Sequence, residues 1–319
     1  MNIIETHALS RVYGKRRAVD NLDMCVAAGE IYGFVGKNGA GKSTAMKMIA
    51  GLVRPTSGSV ELFGAQRRAR EGFSRVGALI EDPGILPTFS ALENLMCKAL
   101  ALGVVRPNAH CRELLELVGL ADTGSLRVKK FSLGMKQRLG LALALVGGPD
   151  LLLLDEPFNG LDPESTRAMR GALVRLNRER GVTMVISSHV LDQLDRMATS
   201  FGVIRSGRMV RELSMDDLHR ECGNSIRIRT NDPARTLAIL EEALPGTALR
   251  AEPDGSILAS AAVRHAATSF GGAAIAPMAP SAEDVARALS EHGLLILELS
   301  HVERDIEEYF VELMSGADA

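Results

Sequence analysis

Four cysteines are all that the 319-residue chain contains, and Cys25, Cys97, Cys111 and Cys222 form no Cys-x-x-Cys pair and no ladder of short spacings. That argues against a zinc site and reads as reduced, buried thiols in a cytosolic protein. There is no tryptophan, and 4% of the residues are aromatic. Net charge is small, −2, with a pI near 6.4. A surface that coats nucleic acid generally is therefore not expected, although a local basic patch is compatible with these values. The longest apolar stretch, "LGLALALVGG" (139–148), falls well short of the ~20 residues needed to cross a bilayer. The opening "MNIIETHALSRVYGK" has polar residues where a secretory signal would carry its apolar segment. Any role at a membrane is thus expected to run through a partner. No tandem repeat is visible.

What is present is ordinary globular material, 46% hydrophobic and 24% charged, long enough for one large or two modest domains. The first 30 residues alternate short extended stretches, such as "IIETHAL" and "LDMCV", with turn residues. "EIYGFVG" (30–36) reads as a buried strand running into a glycine-rich turn, and "GKSTAMKMIAGL" has helical spacing to Gly51. From about Pro83 to Gly148 the pattern is mainly helical, with a capping box at Ser90 and Glu93. "PDLLLLDEP" and "VTMVISSH" are apolar enough to be strands buried on both faces. "RAMRGALVRLNRERG" between them is a helix, and "FGVIRSGRMVREL" is a hairpin turning at Ser206-Gly207.

The composition shifts at about residue 216, giving expected domains of 1–215 and 216–319. The second reads β-α-β-β-α-β: "SIRIRT", "DPARTLAILEEAL", a hairpin on Pro-Asp-Gly in "ALRAEPDGSILAS", "SAEDVARALSEHG" and "LLILELS". That is the split βαβ order of a ferredoxin-like domain. An Ala/Gly-rich stretch (259–280) interrupts it as an expected mobile loop, and "VERDIEEYFVELM" is a closing amphipathic helix.

"GKNGAGKS" (36–43) fits Gly-x-x-x-x-Gly-Lys-[Ser/Thr] without a mismatch, between an expected strand and an expected helix. Glycines let the backbone curl so that successive N–H groups face phosphate oxygens, and the helix N-terminus adds a favourable dipole. Gly36, Asn38, Gly39, Ala40, Gly41, Lys42, Ser43 and Thr44 are therefore the expected phosphate contacts. Lys42 supplies a point charge near the β- and γ-phosphates, and the Ser43 hydroxyl is a Mg²⁺ ligand. Asp155, at the end of the strand "LLLLD", is suited to hold the same Mg²⁺. Glu156 beside it is suited to orient or deprotonate the attacking water. A solvated strand terminus is the plain alternative for these two acids. His189 follows another strand and points to the same sheet edge, where ligands of parallel sheets bind. Together these features describe a P-loop nucleoside triphosphatase of α/β class. No Asn-Lys-x-Asp motif of the GTPases accompanies them.

Over most of residues 1–215 the chain resembles the ATP-binding cassette (ABC) family, through the phosphate loop, "FSLGMKQR", "LLLLDEPFNGLDP" and "ISSH" in that order. The resemblance implies a RecA-like core, an N-terminal antiparallel β subdomain and a helical subdomain, with ATP and Mg²⁺ as cofactors. It implies two cassettes paired head to tail, as a homodimer or with a second ABC subunit, and a separate transmembrane permease. By the same resemblance Ser132 and the Gly134 backbone contact nucleotide in trans, Asp162 signals between the two sites, His189 contacts the γ-phosphate and Tyr13 stacks on adenine. For Tyr13 a core aromatic in the N-terminal sheet is the competing reading.

Two departures from the family pattern stand out. The signature reads Phe131-Ser132-Leu133-Gly134-Met135 in place of Leu-Ser-Gly-Gly-Gln. The hydroxyl and the glycine are kept, while Leu133 and Met135 are expected to point away and pack. In "VGALIEDP" the glutamine that senses Mg²⁺ in the family is Glu81. Both departures resemble exporters tied to bacitracin resistance and lantibiotic immunity, which implies a peripheral ATPase on the inner face of the cell membrane. Another cargo, such as a small drug or a lipid-linked glycan, is the nearest alternative. A non-transport ABC ATPase acting on DNA or ribosomes is the more distant one. Against it stand the lack of a long heptad arm and the single cassette. The clusters "KRR" (15–17) and "RRAR" (67–70) read as solvated faces, and no nucleic-acid partner is expected.

Overall fold

The computed structural model describes residues 1–66, 75–222, 225–245, 247–261, 281–302 and 306–315. The stretch "RRAR" and residues 262–280 of the Ala/Gly-rich loop lie outside them. The chain divides into two compact units, Met1–Ser214 with the residues from Leu313 on, and Met215–Glu312.

The first unit opens with β1 (Asn2–Tyr13) and β2 (Arg16–Ala27), followed by β3 (Ile31–Val35), α1 (Lys42–Ile49), β4 (Ser57–Leu62), β5 (Ala65–Gln66) and β6 (Val76–Leu79). Next come α2 (Ala91–Ala101), α3 (Pro107–Leu117), α4 (Leu133–Leu145), β7 (Leu151–Asp155), α5 (Pro163–Arg180), β8 (Thr183–Ser188), β9 (Ser200–Arg205) and β10 (Arg208–Ser214). β1 and β2 are longer than the sequence pattern suggests. The turn-forming residues do not end the strands, because register shifts absorb them, and Ala8 and Asn21 take positive φ values of 47° and 49°. These strands form an antiparallel sheet in the order β2-β1-β4-β5.

A second sheet, β10-β9-β3-β8-β7-β6, is parallel from β9 through β6 and closes with the antiparallel β9–β10 hairpin. β3 is buried at all five positions and β8 at all six, as strands covered on both faces must be. Leu151, Leu153, Val185, Phe34 and Ile204 from this sheet share one core with Met46 and Ile49 of α1 and Leu22 and Val26 of β2. Tyr32 of β3 is buried and donates its hydroxyl hydrogen bond to Glu212 Oε1 at 2.5 Å. A Cβ at Gly202 would lie 1.9 Å from that hydroxyl, so only glycine fits there. The helical segment begins at α2, where Ser90 and Glu93 make both halves of the capping box.

In the second unit α6 (Met215–Cys222), which the sequence pattern did not mark, precedes β11 (Ser225–Thr230), α7 (Pro233–Ala243), β12 (Thr247–Ala251), β13 (Ile257–Ala261), α8 (Ala282–Glu291) and β14 (Ile296–Val302). α9 (Ile306–Ser315) ends the described chain. The sheet is antiparallel in the order β12-β13-β11-β14. That is the strand order of the split βαβ arrangement. Its core joins Ile226, Ile228 and Ile257 to Leu240 of α7 and Val285 and Leu289 of α8.

The cysteines depart from the expectation of burial. Cys111 and Cys222 are buried, but Cys25 is only partly so and Cys97 is exposed. Among the described residues no helix is long and apolar enough to cross a membrane.

Candidate functional site

β3 delivers the chain to Gly36, and the loop that follows closes on α1. A Cβ at Gly36 would sit 2.5 Å from the Ile204 carbonyl oxygen, and one at Gly41 2.5 Å from that of Ala18. Gly41 also caps α1 at φ 114°, a left-handed conformation open to glycine and strained for other residues. The loop is thus pressed against β2 and β9, and its backbone wraps a cavity of about 370 Å³. Asn38 to Thr44, Tyr13, Arg16, Ala18 and Glu156 line it.

Lys42 is 5% exposed and donates from Nζ to the Gly36 carbonyl at 2.5 Å and to that of Lys37 at 3.4 Å. It also lies 3.2 Å from Glu156 Oε1. That oxygen is buried without a hydrogen-bond partner, so the contact is a charge pair rather than an aligned hydrogen bond. It is an acceptor held against the cavity with spare capacity. The other oxygen, Oε2, pairs with His189 Nδ1 at 2.8 Å. Glu156 stands at φ 47°, an uncommon value for a residue with a side chain. The Ser187 hydroxyl fixes this corner. It accepts the Glu156 N–H at 2.9 Å and donates to Asp155 Oδ1 at 2.6 Å.

The structure therefore brings together the phosphate loop, Asp155, Glu156 and His189. Ser187 and the lining residues Arg16 and Ala18 escaped the sequence reading. Ser187 lay in plain sight in "SSH", but nothing in a single sequence says which serine turns inward. Tyr13 is 45% exposed, lines the cavity and has the Arg11 guanidinium 4.5 Å above its ring, which removes the core-aromatic reading.

Ser132, Gly134, Asp162 and Glu81 lie apart from the cavity lining. Ser132 caps α4 by accepting the Met135 N–H at 3.2 Å. A Cβ at Gly134 would meet Ser165 Oγ at 2.7 Å. Asp162 caps α5, accepting from both the N–H and the hydroxyl of Ser165 at 2.8 Å, and the backbone bond holds its carboxyl below the usual carboxylate range. Leu133 does not pack away as expected. It is 52% exposed at the first position of α4 after the Ser132 cap, and a Cβ at Gly160 would lie 2.8 Å from its Cδ2. Glu81 is engaged with Lys47 of α1, 2.5 Å from its Nζ.

Comparison with known proteins gives this geometry its family. The family model described as ABC transporter matches residues 19–159. The bacitracin transport ATP-binding protein BcrA of Bacillus licheniformis is 35% identical over 316 residues, which span 98% of this chain and 98% of that protein. The chain belongs to the ABC transporter family. It is an ATP-binding, ATP-hydrolysing subunit of that family. The lantibiotic transport ATP-binding protein SrtF of Streptococcus pyogenes is 39% identical over 214 residues, or 67% of this chain and 92% of that one. An ATP-binding cassette solved as a dimer in a post-hydrolysis state with ADP and Pi superposes with a TM-score of 0.61 at 22% identity. It covers 66% of this chain and 98% of its own, a likeness of fold alone.

Proposed function

We propose that the chain powers export of a peptide antibiotic of the bacitracin or lantibiotic kind. In this reading two cassettes work with a separate transmembrane permease at the inner face of the cell membrane. The observation that carries this is the reach of the BcrA match, which runs beyond the cassette through the second unit and leaves almost nothing of either chain unpaired.

Within the proposed cycle the phosphate loop binds by its N–H groups and by Lys42, whose charge is free to pass from Glu156 to an entering phosphate. The donors near the loop suit Mg²⁺. The Ser43 hydroxyl and the Asp155 carboxylate would hold it as hard oxygen ligands, with Glu81 as the third, and the unpartnered oxygen of Glu156 leaves an acceptor beside the loop for the attacking water. When bound, Mg²⁺ would supply charge neutralisation for the triphosphate. Glu156 orients and deprotonates the attacking water, and His189 holds its second oxygen. Tyr13 stacks on the base, while Ser132 and the Gly134 backbone of the second cassette cap the terminal phosphoryl group and Asp162 lies between the two sites. The second unit serves as a regulatory or dimerising module, with a stabilising appendage as the plain alternative.

Glu156→Gln is expected to keep ATP binding, to lower turnover by at least ~100-fold and to trap a dimer that gel filtration with ATP detects. Undiminished hydrolysis would contradict the assignment. For the cargo, the subunit co-purified with its membrane partner and placed in vesicles is expected to hydrolyse ATP faster when bacitracin is added. Stimulation by a small drug or a lipid-linked glycan instead would move the reading to those cargoes.

A further inference from the structure

Lys47 stands four residues after Ser43 on α1, so the two side chains share one helix face a turn apart, and helical side chains lean toward the N-terminus. The Lys47 side chain therefore leans toward the end of α1 that carries Ser43, and its ammonium holds Glu81 Oε1 at 2.5 Å. Glu81 is strained, at φ 62°, and its side chain is 63% exposed. The residues on either side of it close on the signature helix. A Cβ at Gly140 of α4 would lie 2.7 Å from Pro83 Cβ and 3.0 Å from Leu79 Cδ1. Glu81 thus stands between two residues that pack on the helix capped by Ser132.

We propose that Lys47 is a positioning residue that competes with the active-site cation for Glu81. While the pair is closed, the carboxylate is held by Lys47. It reaches the cation only by leaving Lys47, and the seat on Gly140 carries that step to α4. The inference rests on the Mg²⁺ and ATP reading above. A lysine in the last turn of a helix also complements the helix dipole without any partner. The two roles differ in whether the effects at positions 47 and 81 depend on each other.

The test is equilibrium binding of a fluorescent ATP analogue to the full chain carrying Glu156→Gln, with Mg²⁺ and again in EDTA. Glu81→Gln is expected to change the Mg²⁺-dependent affinity by less than about twofold while Lys47 is present. Combined with Lys47→Met it is expected to weaken affinity by roughly two- to fivefold relative to Lys47→Met alone, the most that a half-exposed ion pair can withhold. Lys47→Arg should behave as the parent, and the dependence of one position on the other should vanish in EDTA. Additive effects with Mg²⁺, or the same coupling in EDTA, overturn the proposal. Should the Glu156→Gln chain bind no analogue at all, the nucleotide reading itself fails and takes this inference with it. Glu81 is exposed, so its substitution does not compromise folding.

Discussion

Ser187→Ala isolates the least visible part of the site. The serine is fully buried and its hydroxyl serves two masters, accepting the Glu156 N–H at 2.9 Å and donating to Asp155 Oδ1 at 2.6 Å. Alanine removes one hydrogen bond to a charged group and strands one backbone N–H, together costing about 2–4 kcal/mol once the partly open Asp155 recovers water. That is a fraction of the ~5–15 kcal/mol holding a domain together, so the variant stays folded with a lower urea midpoint. The larger effect falls on chemistry. Glu156 sits at φ 47°, a conformation kept only while its surroundings insist on it. A displacement of about 1 Å at such a group costs about 100-fold in rate. Steady-state ATPase assays should therefore show kcat lower by roughly 10- to 100-fold with KM for ATP nearly unchanged, because Ser187 is not part of the phosphate cradle. A variant that loses stability yet keeps the parental kcat would refute the idea that this hydroxyl sets the position of Glu156.

Gly41→Ala adds a Cβ 2.5 Å from the Ala18 carbonyl at φ 114°, so ATP affinity should fall by roughly 5- to 150-fold, since strain of about 1–3 kcal/mol opens the loop; isothermal titration with unchanged affinity would contradict the cradle geometry. Burial pushes the Glu212 carboxyl above its ordinary 4.5, so its favourable contribution is complete below that value and is lost as pH rises through the raised one. Glu212→Gln keeps an acceptor for Tyr32 and Cys25 but cannot ionise. The urea midpoint of the parent relative to the variant should therefore drop between acidic and neutral pH, and a pH-independent difference would dismiss the burial argument.

The parts of the fold written in local pattern were legible. β3, β7 and β8 announce themselves as short, mostly apolar runs, and α4 begins at the helix start that Ser132 marks. The phosphate loop was legible because close approach of backbone to phosphate restricts the residues that fit. What stayed hidden depends on neighbours distant in sequence. The length of β1 rests on bulges whose residues look like turns. The orientation of Ser187 rests on a strand 32 residues earlier. The partner of Glu81 lies 34 residues away on α1 and could not be inferred from the loop itself. The exposure of Leu133, directly after the capping Ser132, is something a hydrophobic pattern cannot report.

Two helices, α4 and α5, start side by side where Gly134 meets Ser165, yet their ends are electrically unlike. Asp162 and Glu164 place negative charge on the first turn of one, whereas the first turn of the other carries no acid. An incoming anion is thus repelled from one amino end and welcomed at the other, only a few ångströms off. If Ser132 caps a phosphoryl group as proposed, a single aspartate introduced beside it would oppose that anion as Asp162 and Glu164 already do at the neighbouring helix start.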